Sequence, residues 1–141
     1  MLELIPLYRA TYLLAPPRVI EGAPTGTLVL FPVTSGRLEG ARLSGSVREL
    51  SGDWVTISPD GRFGALDVRI TVETDDGAAI LVTYGGRTVL ANGAGKAPLY
   101  VAPLFSTGDD RYSFLNELQA VGRGVLTEDL SQLEYEVYEV R

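Results

Sequence analysis

The strictest pattern in this chain occupies residues 66–74. Leu66, Val68, Ile70 and Val72 alternate with Asp67, Arg69, Thr71 and Glu73. Successive side chains of a strand point to opposite faces, so a period of two predicts a β-strand with one apolar and one polar face. The apolar face must be covered. Either it lines a filled core and the polar face meets water, or the polar face lines a lumen and something outside covers the apolar one. The choice decides whether Asp67 and Arg69 belong to a site.

The rest of the chain repeats the β theme. Strand-like runs at residues 2–14, 25–33, 54–57, 78–84, 99–105, 119–127 and 133–140 are separated by turn residues. Ala15-Pro16-Pro17 ends the first run, because proline cannot donate to a ladder. Asp75-Asp76-Gly77 joins two β runs and predicts a hairpin. Ser58-Pro59-Asp60-Gly61 predicts a turn, Gly85-Gly86 another, and Ser35-Gly36 a third. Glycines at 40 and 45 suggest the bulges that a closing barrel needs. Residues 107–118 differ: Asp109 and Asp110 are capping candidates, and Tyr112, Leu115 and Leu118 recur at helical spacing. They predict one short helix starting near Asp109 or Asp110. About ten strands with short links predict a single all-β domain over residues 1–141, an antiparallel barrel of eight to ten strands.

What the chain lacks narrows its chemistry. Its 141 residues contain no cysteine and no histidine. Disulfides, thiol catalysis, histidine general bases and cysteine- or histidine-ligated metals are excluded. The expectation is a protein without metal or cofactor. A net charge of −6 with scattered basic residues argues against nucleic acid. Residues 1–9 lack the basic region of a signal peptide, and no apolar run reaches membrane-spanning length. A cytoplasmic protein with no membrane partner is expected. The 45% hydrophobic content in so short a chain suggests a homo-oligomer, most simply a two-fold dimer.

Several motifs recur in order: Gly36, Gly40-Ala41-Arg42-Leu43, Gly45, Gly52-Asp53-Trp54, Asp60-Gly61, Asp67-Val68-Arg69, Thr74-Asp75-Asp76-Gly77, Tyr84 and Gly86. Phe105-Ser106-Thr107, Tyr112, Leu115-Asn116 and Gly122 follow. Together they resemble the domain of unknown function 3237 family across nearly the whole chain. The resemblance implies a compact, lipocalin-like β-barrel with no established general activity. Some members look like accessory proteins of small-molecule pathways, so a ligand pocket is implied. Gly40-Ala41 stands where the family tends to have Gly-Pro.

The candidate ligand-binding residues are Trp54, Asp67, Arg69, Tyr84 and Asn116. Asp67 and Arg69 share a strand face, and a guanidinium there can hold an oxyanion bidentately; a wet outer face with the two paired is the plainer reading. Trp54 offers flat apolar area and one donor, or a core plug. Tyr84, Tyr112 and Asn116 offer hydrogen bonds. Asp53, Asp60, Asp75 and Asp76 match no calcium loop and read as turn aspartates. The expectation is a small-molecule-binding barrel with these residues in its lumen, Arg69 being buried against an acidic side chain beside Trp54 or Tyr84. The alternative is a cofactor-free isomerase, cyclase or lactone hydrolase acting on an oxygenated metabolite in the same lumen. A structural or regulatory subunit without a pocket is the third reading.

Overall fold

The computed structural model describes the whole of Met1–Arg141. The chain forms eleven strands and one helix in the order β1 (Leu4–Leu14), β2 (Arg18–Ala23), β3 (Gly26–Glu39), β4 (Gly45–Val47), β5 (Gly52–Ile57), β6 (Phe63–Thr74), β7 (Ala79–Val89), β8 (Leu99–Val101), β9 (Leu104–Ser106), a 3₁₀ helix (Asp110–Asn116), β10 (Ala120–Leu126) and β11 (Gln132–Val140). Eight of these strands close on themselves in the order β1-β3-β5-β6-β7-β8-β10-β11, every pair antiparallel. The other three are additions: β2 pairs with β3, β4 bridges β3 and β6, and β9 lies against β7. No helix is long and apolar enough to cross a membrane.

The 66–74 pattern becomes the centre of β6, whose ladder with β7 runs unbroken from Phe63↔Val89 to Glu73↔Ala79. The hairpin turn at Asp75-Asp76-Gly77 forms as expected, with Gly77 at φ +93° and the Ala78 amide donating to Thr74 Oγ1 at 2.7 Å. Leu66, Val68, Ile70 and Val72 are all buried inside the barrel. The filled-core arrangement therefore holds on this strand, and its polar face meets water.

Three local expectations change. Residues 18–23 form a strand, although Arg18, Val19 and Ile20 show no alternation; they are exposed on both faces, so burial imposes no period. β3 is continuous through Pro32 and Ser35-Gly36. It pairs with β2 at its start and with β1 from Val33 onward, and Pro32 falls in the gap between those two partners. Gly85-Gly86 lies within β7, where Gly86 pairs with both Leu66 and Val101.

The two ends of the barrel differ. One end is filled by Leu7, Leu38, Leu43, Ile70, Val82 and Leu115, each almost wholly buried. Leu115 comes from the 3₁₀ helix, which Asp109 caps by accepting from the Arg111 amide at 2.9 Å. The Arg111 guanidinium, against Asp109 at 2.8 Å and Asp76 at 3.2 Å, ties the helix to the β6–β7 turn. Half-way up, a layer of tyrosines crosses the interior. The Tyr135 ring meets Tyr84 edge-on at 5.7 Å and Tyr12 at 6.0 Å between centroids. Gly124 makes room for it, since a Cβ there would lie 2.5 Å from Tyr135 Cε1.

That approach generates a test of the tyrosine layer. Overfilling a packed interior costs roughly 1–3 kcal/mol. Gly124→Ala is expected to lower the unfolding free energy by that amount, read as a lower urea midpoint with an unchanged denaturant slope. A variant as stable as the parent would mean that Tyr135 is free to move aside.

Candidate functional site

On β5, Asp53, Val55 and Ile57 point inward while Trp54 and Thr56 point outward. Asp53 thus enters the barrel at the level of the tyrosines. It pairs across β6 with Val68, which in turn pairs with Tyr84 on β7, so Asp53 and Tyr84 stand in one row. Tyr135 reaches the same level from β11, on the opposite wall. Three atoms in this layer are buried without a hydrogen-bond partner: Asp53 Oδ1, Tyr84 Oη and Tyr135 Oη. Unpaired buried polar atoms are rare because each costs about 1–3 kcal/mol.

Above this layer the barrel opens. A cavity of about 240 Å³ occupies the end at which β1, β5, β7 and β10 finish and β3, β6, β8 and β11 begin. Thirteen of its seventeen lining residues are hydrophobic, with Leu14, Phe31, Val55, Leu66 and Leu133 among the walls. Asp53 is its deepest residue on β5 and the only titratable side chain of the lining. Tyr12, Tyr84 and Tyr135 lie one layer farther down. The arrangement is a greasy funnel ending on a carboxyl.

The surroundings set the state of that carboxyl. Burial raises the Asp53 pKa to about 7, helped by the nearby Asp67 charge, while the Asp67 backbone amide pulls it down. No cation faces Asp53, so desolvation wins. Burial also pushes the Tyr84 and Tyr135 hydroxyls well above the ordinary phenol range, and the Asp53 charge adds to both. The tyrosines therefore stay neutral donors, and Asp53 is poised to give or take a proton near neutrality.

The residues singled out from the sequence fall in three places. Tyr84 lies in the tyrosine layer. Asp67 and Arg69 lie outside the barrel, 65% and 57% exposed, with 4.0 Å between Arg69 Nη1 and Asp67 Oδ1. The expectation that Arg69 is buried in the lumen is thereby corrected: the apolar residues of β6 are better buried than its charges, and a guanidinium inside would need a full set of partners. Trp54 is also outside and 44% exposed. It shares with Arg69, Arg18 and Leu50 an open external groove of about 750 Å³. Asn116 is at the filled end, where its side-chain amide clamps the Thr107 backbone at 2.9 and 3.0 Å. The structure brings Trp54, Asp67 and Arg69 to one outer surface and separates them from Tyr84 and Asn116. Asp53, read from the sequence as a turn residue, is the group that enters the cavity.

Known proteins share this architecture. A hydroalkoxylation enzyme of Penicillium herquei, phnH, is 29% identical over 130 residues, 92% of this chain and 78% of that protein. The crystal structure of a β-barrel-like protein from Acinetobacter baumannii AYE superposes with a TM-score of 0.86 at 26% identity, covering 100% of this chain and 97% of its own. That of an enzyme from Penicillium herquei superposes with a TM-score of 0.73 at 26% identity, covering 100% and 94%. The model of a family described as protein of unknown function (DUF3237) matches residues 2–140, and the chain belongs to that family.

Proposed function

We propose that this barrel is a cofactor-free acid–base enzyme acting on a small, apolar, unsaturated molecule that carries a hydroxyl group. One observation carries the reading: a buried carboxyl, Asp53, with no cation beside it forms the floor of an otherwise apolar cavity, and burial pushes its pKa up to about 7. Such a group is protonated at mildly acidic pH and surrenders its proton easily near neutrality. An engineered cavity of about 150 Å³ holds benzene, so about 240 Å³ suits a molecule of one to two rings. Similarity to a hydroalkoxylation enzyme supports ring closure as the reaction.

The step balances without a cofactor. The Asp53 proton passes to one carbon of an alkene. The hydroxyl oxygen of the same molecule bonds to the other carbon, closing a cyclic ether. The hydroxyl proton returns to the Asp53 carboxylate. The apolar walls exclude the water that would compete for the cation-like centre. Tyr84 and Tyr135, one layer below, keep that level of the barrel neutral, since burial holds their hydroxyls well above the ordinary phenol range. Carriage of the same ligand without chemistry is the second reading, favoured by the presence of a single titratable group in the lining.

Ring closure of alkenyl phenols, followed by chromatography, separates the two readings. The expected result is cyclic ether formation that survives exhaustive chelation, is lost in Asp53→Asn, and declines as pH rises through about 7. Binding of these phenols with no conversion, equal in Asp53→Asn, would leave carriage alone.

Stability gives a second check that needs no substrate. A carboxyl whose folded pKa is raised binds its proton more tightly in the native state. Its contribution is complete below the unfolded value of 3.8 and is lost as pH rises through about 7. A rise from 3.8 to about 7 corresponds to at most about 4 kcal/mol. The parent should therefore lose stability relative to Asp53→Asn between about pH 4 and pH 8. Parallel denaturation midpoints across that range would show that Asp53 is not shifted.

A further inference from the structure

Two residues other than glycine hold a left-handed backbone, and both are leucines: Leu50 at φ +65° and Leu130 at φ +62°. Such positions in tight turns favour glycine or asparagine, because a Cβ crowds the following carbonyl. Each leucine flanks a cleft, Leu50 the external groove and Leu130 the barrel cavity. Leu50 is 88% exposed, whereas Leu130 is half-buried over the cavity mouth beside Val19 and Leu126.

The segment that carries Leu130 is tightly built. Asp129 Oδ1 accepts from Thr127 Oγ1 and Ser131 Oγ, each at 2.7 Å, and from the Ser131 amide at 3.1 Å. The Leu130 amide donates to the Thr127 carbonyl at 2.9 Å. The facing loop, residues 91–98, closes against it. The Lys96–Glu128 ion pair joins the two, and a Cβ at Gly95 would lie 3.1 Å from the Leu126 carbonyl. Gly95 and Ala94 also line the cavity. The polar anchors satisfy the turn whatever side chain stands at position 130. The turn alone would be better served by glycine, yet a leucine stands there and its side chain lines the cavity beneath.

We infer that Leu130 is a specificity residue: its side chain caps the cavity and sets the length of ligand admitted, favouring flat apolar molecules of two rings over three. The inference rests on the reading of this cavity as the ligand site. Leu50 supplies the control, because Leu50→Gly relieves the same backbone conformation away from the cavity.

Calorimetric titration of naphthol and of phenanthrol into the parent, Leu130→Gly and Leu50→Gly tests it. The parent and Leu50→Gly are expected to prefer naphthol by about tenfold or more, the scale on which a filled apolar pocket discriminates. Leu130→Gly should bring the two probes within about threefold, with its melting midpoint within a few degrees of the parent. Unchanged discrimination in Leu130→Gly, the same relaxation in Leu50→Gly, or failure of the parent to bind either probe would overturn it. The readout is binding alone. Absence of ring closure with intact size discrimination would therefore refute the proposed reaction and leave the role of Leu130 standing.

Discussion

A carboxyl group with no cation beside it stays inside an apolar barrel only by keeping its proton. Asp53 is held there by the parity of β5, which cannot turn Val55 and Ile57 inward without turning Asp53 inward too. Burial then lifts its pKa to about 7. The tyrosine layer below and the leucine-rich walls above follow from the same demand, because the barrel must supply side chains that exclude water without charge. Tyr12, Tyr84 and Tyr135 fill that level with large neutral rings. The cost of the buried acid and the unpaired hydroxyls falls on stability.

The charged residues act elsewhere. Arg69 and Asp67, Arg37 and Asp75, and Arg111 with Asp109 and Asp76 lie on the outer surface. Exposed pairs of this kind contribute little to stability. Their positions still matter: the Arg37 and Arg111 pairs secure the β6–β7 turn and the 3₁₀ helix at the filled end of the barrel. The apolar barrel cavity lies at the opposite end. The fold divides labour along its axis, with aliphatic filling below, tyrosines between and an apolar funnel above.

The all-β barrel, the β6–β7 hairpin and the single short helix were legible because alternation, Asp-Gly turns and a capping aspartate are local signals. β2 was not, since a strand exposed on both faces carries no period. Which face of β6 turns inward was not legible for a different reason. Alternation there was plain, but it does not say which face is inside, and charged residues drew attention to Asp67 and Arg69. The apolar purity of Leu66, Val68, Ile70 and Val72 was the better guide. The same rule applied to β5 would have found Asp53, which is in phase with Val55 and Ile57. Its place between Gly52 and Trp54 made it look like a turn aspartate. The meeting of Asp53 with Tyr84 and Tyr135 depends on barrel closure across the β-strand order, which no local pattern contains. The hold of Asn116 on the Thr107 backbone was not legible either, because an amide clamp and a ligand contact look alike in sequence.

The account stands on the protonation state of one side chain. Carbon-13 NMR titration of the aspartate carboxyls, with Asp53 assigned by its absence in Asp53→Asn, measures it directly. The predicted result is one carboxyl that titrates near pH 7 while Asp75, held by Arg37, and Asp76, held by Thr74 and Tyr112, titrate below the ordinary value. A signal for Asp53 that is already ionised at pH 5, with its midpoint close to 3.8, would contradict the account.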